Sequence, residues 1–179
     1  CEVFVEDLDG DGGSEIVAYT GNGNLFIFGY DTTEMIYRTP EGTYDVIHCM
    51  LIANLDNDPQ LELFFLATRP GSLQQDRDAG NLVQFDTVSQ FDEWTSSDLY
   101  SATDMVYGNV DNDDEMQIVL NTGEILSDRF KTIKWKSDVA FGSRLYLIDV
   151  DDDGILEVVT EYNQSYVRIF DIDQHREKW

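Results

Sequence analysis

Short apolar runs rich in β-branched and aromatic residues recur along the chain. Turns of Gly, Asn and Asp separate them, and none shows the 3.6-residue stripe of an amphipathic helix. Val3-Phe4-Val5 and Ile16-Val17-Ala18-Tyr19 bracket one polar stretch, and Tyr146-Leu147-Ile148 and Val158-Val159-Thr160 bracket another. Leu63-Phe64-Phe65 and Ile118-Val119-Leu120 follow two further polar stretches in the same way. Each of these second runs leads through a Gly- or Asn-bearing turn to a third: Leu25-Phe26-Ile27-Phe28, Leu82-Val83-Gln84-Phe85, Glu124-Ile125-Leu126 and Tyr166-Val167-Arg168-Ile169-Phe170. Runs of this length and composition read as strands. Nine residues beyond the last apolar residue of each third run stands an aromatic: Tyr37, Trp94, Trp135 and Trp179. These four predict a fourth, outer strand whose aromatic covers the sheet edge; the other use of such rings is as a carbohydrate-stacking platform.

The polar stretches are four versions of one sequence. Residues 7–15 read Asp-Leu-Asp-Gly-Asp-Gly-Gly-Ser-Glu, and 54–62 read Asn-Leu-Asp-Asn-Asp-Pro-Gln-Leu-Glu. Residues 109–117 read Asn-Val-Asp-Asn-Asp-Asp-Glu-Met-Gln, and 149–157 read Asp-Val-Asp-Asp-Asp-Gly-Ile-Leu-Glu. Positions one, three, five and nine always carry an oxygen-bearing side chain, and position two is always apolar. In a tight loop alternate side chains turn to the same concave side, so these oxygens converge and attract a hard cation. Calcium fits best, because it takes roughly six to eight oxygens and tolerates irregular geometry, whereas magnesium wants a stricter octahedron. With the carbonyl of position seven added, the predicted ligands are Asp7, Asp9, Asp11, Gly13 and Glu15 in the first loop and Asn54, Asp56, Asp58, Gln60 and Glu62 in the second. The third offers Asn109, Asp111, Asp113, Glu115 and Gln117, and the fourth Asp149, Asp151, Asp153, Ile155 and Glu157. An EF-hand is excluded, since it needs a bidentate Glu at position twelve between helices, and Ala18, Phe65, Leu120 and Thr160 stand there between strands.

The loops start at 7, 54, 109 and 149, giving repeats of 47, 55 and 40 residues. Four strands in each repeat predict an all-β chain of β-propeller blades, at approximately 1–43, 44–99, 100–139 and 140–179, in a single domain. Four blades can close a small ring. From each aromatic to the next loop takes 17, 15 and 14 residues, yet only six precede Asp7, and the chain stops on Trp179 where another connection is due. The pattern thus favours part of a larger propeller over a complete four-bladed one. Residues 68–81 form the longest segment outside the repeat, and Arg69 and Arg77 make it the candidate contact with a ligand or partner.

At 179 residues the chain is long enough to bury a sizeable core. Its net charge is -25, from 36 acids and 11 bases. Four calcium ions reduce that only to about -17, and the remainder reads as a solvated acidic surface. Nucleic acid and anionic membranes are excluded as partners, because both need clustered Lys and Arg. No apolar run reaches the roughly 18 residues of a membrane span, and no signal sequence is visible. Cys1 and Cys49 lie in equivalent first strands, which leaves a disulfide or a buried reduced Cys49 open. Two imidazoles are available as bases: His48 reads as a strand residue and His175 as part of a polar turn. No Ser-His-Asp or Cys-His constellation is readable, and the paired carboxylates fit metal ligation better than glycoside hydrolysis.

Asp-Leu-Asp-Gly-Asp-Gly-Gly-Ser-Glu-Ile-Val from Asp7 and Asp-Val-Asp-Asp-Asp-Gly-Ile-Leu-Glu-Val-Val from Asp149 resemble the calcium loops of FG-GAP (VCBS-type) repeats, known from integrin alpha-subunit propellers and many secreted bacterial proteins. The resemblance extends over nearly the whole chain as four copies. It implies a calcium ion in the loop joining the first two strands of each blade, rigidifying one face of the propeller while partners bind elsewhere. The second copy departs from the pattern with Asn54 at position one and Pro59 at position six, where the first and fourth have Gly; proline cannot take the left-handed turn of a glycine. The third departs further, with Asn109, Asp114 in place of Gly and neutral Gln117. The expectation is a calcium-stabilised extracellular or periplasmic binding or adhesion module for a protein or glycan, without catalysis of its own. The alternatives are the scaffold of a polysaccharide-degrading enzyme, a structural assembly subunit, or a cytosolic scaffold.

Overall fold

Alternation and burial together decide where each strand sits. In a computed structural model, which describes residues 2–30, 34–56, 58–71, 78–163 and 166–178, the described residues form strands and no helix. The chain divides into two compact units, Cys1–Ser101 and Ala102–Trp179. The first unit holds β1 (Glu2–Glu6), β2 (Glu15–Tyr19), β3 (Leu25–Gly29) and β4 (Met35–Arg38), followed by β5 (Val46–Ala53), β6 (Glu62–Thr68), β7 (Asn81–Asp86) and β8 (Phe91–Thr95). The second holds β9 (Met105–Gly108), β10 (Gln117–Leu120), β11 (Glu124–Ser127) and β12 (Ile133–Lys136), then β13 (Leu145–Ile148), β14 (Glu157–Tyr162), β15 (Tyr166–Asp171) and β16 (Arg176–Glu177). Consecutive strands pair antiparallel in four sheets of four, each a simple meander.

The apolar second and third runs make the inner strands. β6, β10 and β11 are buried along their whole length, because residues such as Leu63-Phe64-Phe65 are apolar on both faces. β4, β8 and β12 lie at the sheet edges, exposed except where Tyr37, Asp92, Trp94 and Trp135 are half-buried. Tyr37 packs on Phe85, 4.9 Å between ring centroids; Trp94 stacks on Phe64 at 6.1 Å; Trp135 lies 6.4 Å from Phe141. These three rings are core contacts rather than exposed platforms, and Trp179 lies outside the described residues.

Each edge strand joins its neighbour through the same irregularity, a bulge after Ile27, Gln84 and Ile125 respectively. Two residues beyond each aromatic stands a buried hydroxyl residue, Thr39, Ser96 or Ser137. Thr39 Oγ1 accepts the Leu25 N–H at 2.8 Å, and Ser96 Oγ accepts that of Leu82 at 2.9 Å, which ties the edge strand to the start of the third.

Each unit has its own core. In the first, Val17, Leu25 and Ile27 of one sheet meet Ile47, Leu63, Phe65, Val83 and Phe85 of the other. In the second, Val110, Val119 and Ile125 meet Phe141, Leu145, Val158 and Phe170. Backbone bonds also cross from one loop to the next within a unit: the Leu61 N–H donates to Leu8 O at 2.9 Å, and the Leu156 N–H to Asn109 O at 3.2 Å.

Arg69 is tied inward. Arg69 pairs with Asp92 at 2.8 Å and lies over the Tyr44 ring, whose hydroxyl donates to Asp92 at 2.6 Å. Arg77, and Cys1 with the disulfide proposed for it, lie outside the described residues. Cys49 is buried in β5. His48 also belongs to β5, 2.8 Å from Thr68 Oγ1, and burial lowers its pKa. His175 stacks on Trp135 at 4.7 Å.

Gly23 is a backbone position with little latitude. Its φ is +78°, and a Cβ there would stand 2.1 Å from the Tyr44 carbonyl oxygen. Gly23→Ala should therefore destabilise the protein by at least about 2 kcal/mol, read from the urea midpoint; an unchanged midpoint would show that this turn is free to shift.

Candidate metal centres

Each polar stretch joins the first and second strands of its sheet: residues 7–15 link β1 to β2, 54–62 link β5 to β6, 109–117 link β9 to β10, and 149–157 link β13 to β14. The same two hydrogen bonds shape all four. The position-two N–H donates to the side chain of position nine: Leu8 to Glu15 Oε2 at 3.0 Å, Leu55 to Glu62 Oε2 at 2.5 Å, Val110 to Gln117 Oε1 at 2.9 Å and Val150 to Glu157 Oε2 at 2.8 Å. The position-seven N–H donates to the acid at five: Gly13 to Asp11 at 2.7 Å, Gln60 to Asp58 at 2.9 Å, Glu115 to Asp113 at 2.9 Å and Ile155 to Asp153 at 2.8 Å. In the three glutamate loops the first bond uses one carboxylate oxygen and leaves the other, whereas Gln117 has no second oxygen.

Position one comes in two forms. Asp7 accepts the N–H groups of Gly10 and Gly12, and Asp149 those of Asp153 and Gly154, with Gly12 and Gly154 at φ +91° and +89°. Asn54 and Asn109 instead donate their amides to the carbonyls of Asp58, at 2.5 Å, and Asp113, at 3.0 Å. Pro59 has no N–H to give, so an acceptor at position one of the second loop would lack this partner, and the amide turns to a carbonyl.

Among the described residues three groups of acids come together, each member offering an oxygen within 4.8 Å of the others': Asp7, Asp9 and Glu15; Asp56, Asp58 and Glu62; Asp149, Asp151 and Glu157. Asp11 and Asp153 stand at position five of their loops but outside these groups. In the third loop only Asp111 and Asp113 are predicted to ligate through a side-chain carboxylate, since Glu115 is assigned by its backbone carbonyl. Like charges this close repel by about 1 to 3 kcal/mol per pair, depending on how much water screens them. A cation among them removes that repulsion. Oxygen donors from carboxylates and backbone match the chemistry of calcium, and the first two groups fit it without competition: among the described residues no lysine or arginine pairs with their acids.

The other two loops have a lysine. Lys134 Nζ lies 2.6 Å from Asp111 Oδ2 and 2.5 Å from Asp113 Oδ2. Lys178 Nζ lies 2.7 Å from Asp151 Oδ2, 2.8 Å from Glu157 Oε1 and 3.3 Å from Asp171 Oδ2. Neither lysine is visible in the spacing of the loop residues. Each immediately precedes a repeat aromatic, Trp135 or Trp179, and the same place holds Ile36 and Glu93 in the first two repeats. Ile36 lines the same groove as Asp9, Asp11 and Glu15. A signal was present: all four lysines of the chain, Lys131, Lys134, Lys136 and Lys178, fall in the second unit.

The titration shifts are mixed, for Asp111 beside Lys134 is itself raised by burial. Glu15 is raised by burial and then by Asp9, Asp11 and Asp7, against the Leu8 N–H. Glu62 is pushed up to about 7 by burial, with Asp56, Asp58 and Glu93 adding to it and the Leu55 N–H opposing. Asp113 is held down to about 2, above all by its hydrogen bond with Lys134.

No family model matches the chain, and no curated protein matches it. Among solved structures the chain is similar to the β-propeller in "Crystal structure of BBS1N in complex with ARL6DN, soaked with lead". The TM-score is 0.61 and the identity 12%, covering 98% of this chain and 54% of that one. The chain thus spans about half the length of that propeller. At this identity the likeness is one of fold: the protein is all-β and has the β-propeller fold, built from four four-stranded antiparallel sheets.

The Glu62 shift has a definite sign. Its folded pKa lies above the ordinary value of 4.5, so the folded chain keeps this proton while the unfolded chain releases it. In chelator, stability from this group should fall as pH rises from about 4.5 to about 7. Glu62→Gln should flatten the decline in a series of melts over that range. Parallel curves for the two proteins would mean that Glu62 is not held protonated.

Proposed function

We propose that the protein is a calcium-stabilised β-propeller of FG-GAP type that serves as a non-catalytic binding module for a protein partner. The observation that carries this reading is the loop frame: four loops with the same two hydrogen bonds, three of which gather carboxylates within 4.8 Å of one another. Such a frame orients oxygens without neutralising them, and a bound cation completes it. The Asp7, Asp9 and Glu15 group and the Asp56, Asp58 and Glu62 group are the favoured sites; calcium at Asp149, Asp151 and Glu157 has to displace Lys178.

A propeller suits partner binding because its strands are a rigid frame and its loops are free to vary. The similar propeller was solved in complex with ARL6DN, which favours a protein over a glycan as the class of partner. A non-catalytic role is supported by the two histidines: His48 is half-buried in β5 against Thr68, and His175 is stacked on Trp135. The extracellular or periplasmic side is the proposed location, because loops of this kind match compartments with millimolar calcium.

The test is a thermal melt of chelator-stripped protein with and without calcium chloride. A ligand that binds only the folded state, at about one hundred times its Kd, adds about 2.7 kcal/mol, or roughly 5 to 10 °C for a chain of this size. Asp9→Asn should reduce the gain. Identical melts with and without calcium would contradict the proposal.

A further inference from the structure

We propose that Lys134 and Gln117 together replace the cation of the third loop, which therefore folds without metal. In the other three loops position nine is a glutamate, with one oxygen on the position-two N–H and the other toward the loop centre. Gln117 keeps the first contact, since its Oε1 accepts the Val110 N–H at 2.9 Å. Its Nε2 takes the place of the second oxygen and donates to Asp111 Oδ1 at 2.9 Å, Asp113 Oδ1 at 3.2 Å and the Glu115 carbonyl at 2.8 Å. Those are the position-three, position-five and position-seven oxygens that the spacing assigns to a metal. An amide N–H at that point offers a cation no ligand atom, whereas a glutamate there offers a carboxylate oxygen.

Lys134 covers what the amide leaves. Its Nζ lies 2.6 Å from Asp111 Oδ2 and 2.5 Å from Asp113 Oδ2, so all four oxygens of the two carboxylates have a donor within the chain. The lysine is well held. It sits in β12 beside Trp135, which packs against Phe141 and stacks on His175. One contact weighs the other way: Asn109 Oδ1, the position-one oxygen, is buried and accepts no hydrogen bond. That oxygen is neutral, whereas the first and fourth loops have an aspartate there, so it adds no charge for a metal to balance.

The inference is tested by calorimetric titration of the full chain with calcium chloride, alongside far-UV circular dichroism. Asp111→Asn should leave the number of calcium sites unchanged, and the double variant Lys134→Met/Gln117→Glu should gain one. Loss of a site in Asp111→Asn overturns the inference, as does a folded double variant with no added site. If the double variant fails to fold, Asp111→Asn decides alone. A wild-type protein that takes up no calcium while the double variant gains a site would sink the calcium reading of the other loops and leave the lysine assignment standing.

Discussion

One hydrogen bond sets the shape of every loop: the backbone N–H two residues into each polar stretch, donating to the side chain that ends it. Leu8, Leu55, Val110 and Val150 all make it, and it fixes the ninth residue at the mouth of the loop. The cost follows from what it brings together. Holding Glu15 on Leu8 draws it toward Asp7 and Asp9, and holding Glu62 on Leu55 draws it toward Asp56 and Asp58. The fold thus creates concentrated negative charge, and each loop must be neutralised, protonated or left under strain.

The chain meets this demand differently in its two compact units. In Cys1–Ser101 there is no lysine at all, and the pKa values of Glu15 and Glu62 are raised first by burial and then by the neighbouring aspartates. In Ala102–Trp179 an ammonium comes from the edge strand or from just beyond it, one residue before the repeat aromatic. The position is structurally suited to this task. Trp135 packs against the core, so Lys134 beside it along β12 points to the opposite side. That position holds Ile36 or Glu93 in the first two repeats, and Lys134 or Lys178 paired with loop acids in the last two. Glu93 itself is raised by burial, with the charges of Asp86 and Asp56 adding to it.

Much of the architecture was legible in the sequence because it rests on local patterns. The runs around Val17, Phe64, Val119 and Val158 announced the inner strands, and the recurrence of Tyr37, Trp94 and Trp135 announced the edge strands on which they lie. The bulges after Ile27, Gln84 and Ile125, and the hydroxyls of Thr39 and Ser96 that fasten each edge strand, are equally periodic in the chain. They are visible only once the register is known, because Thr and Ser are common and carry no marker of burial. The spacing of two residues accounts for the acids gathered in the first, second and fourth loops, with Asp11 and Asp153 standing outside those groups. Lys134 could not be read this way, since strand pairing across β10, β11 and β12 is what returns it to residues 111 and 113. Nor could Gln117's second role: a sequence shows an amide where an acid is expected, and only the fold shows its nitrogen aimed at Asp111 and Asp113.

Backbone amide NMR of the calcium titration, followed residue by residue, reaches the central claim most directly. The account predicts that the amides of Leu8, Gly12 and Gly13, and those of Leu55 and Gln60, shift as calcium is added, because each donates to, or lies beside, a carboxylate that takes the ion. The amides of Val110 and Glu115 should stay in place. Shifts at Val110 and Glu115 equal to those at Leu8 and Gly13 would contradict it, as would a titration in which none of these amides moves.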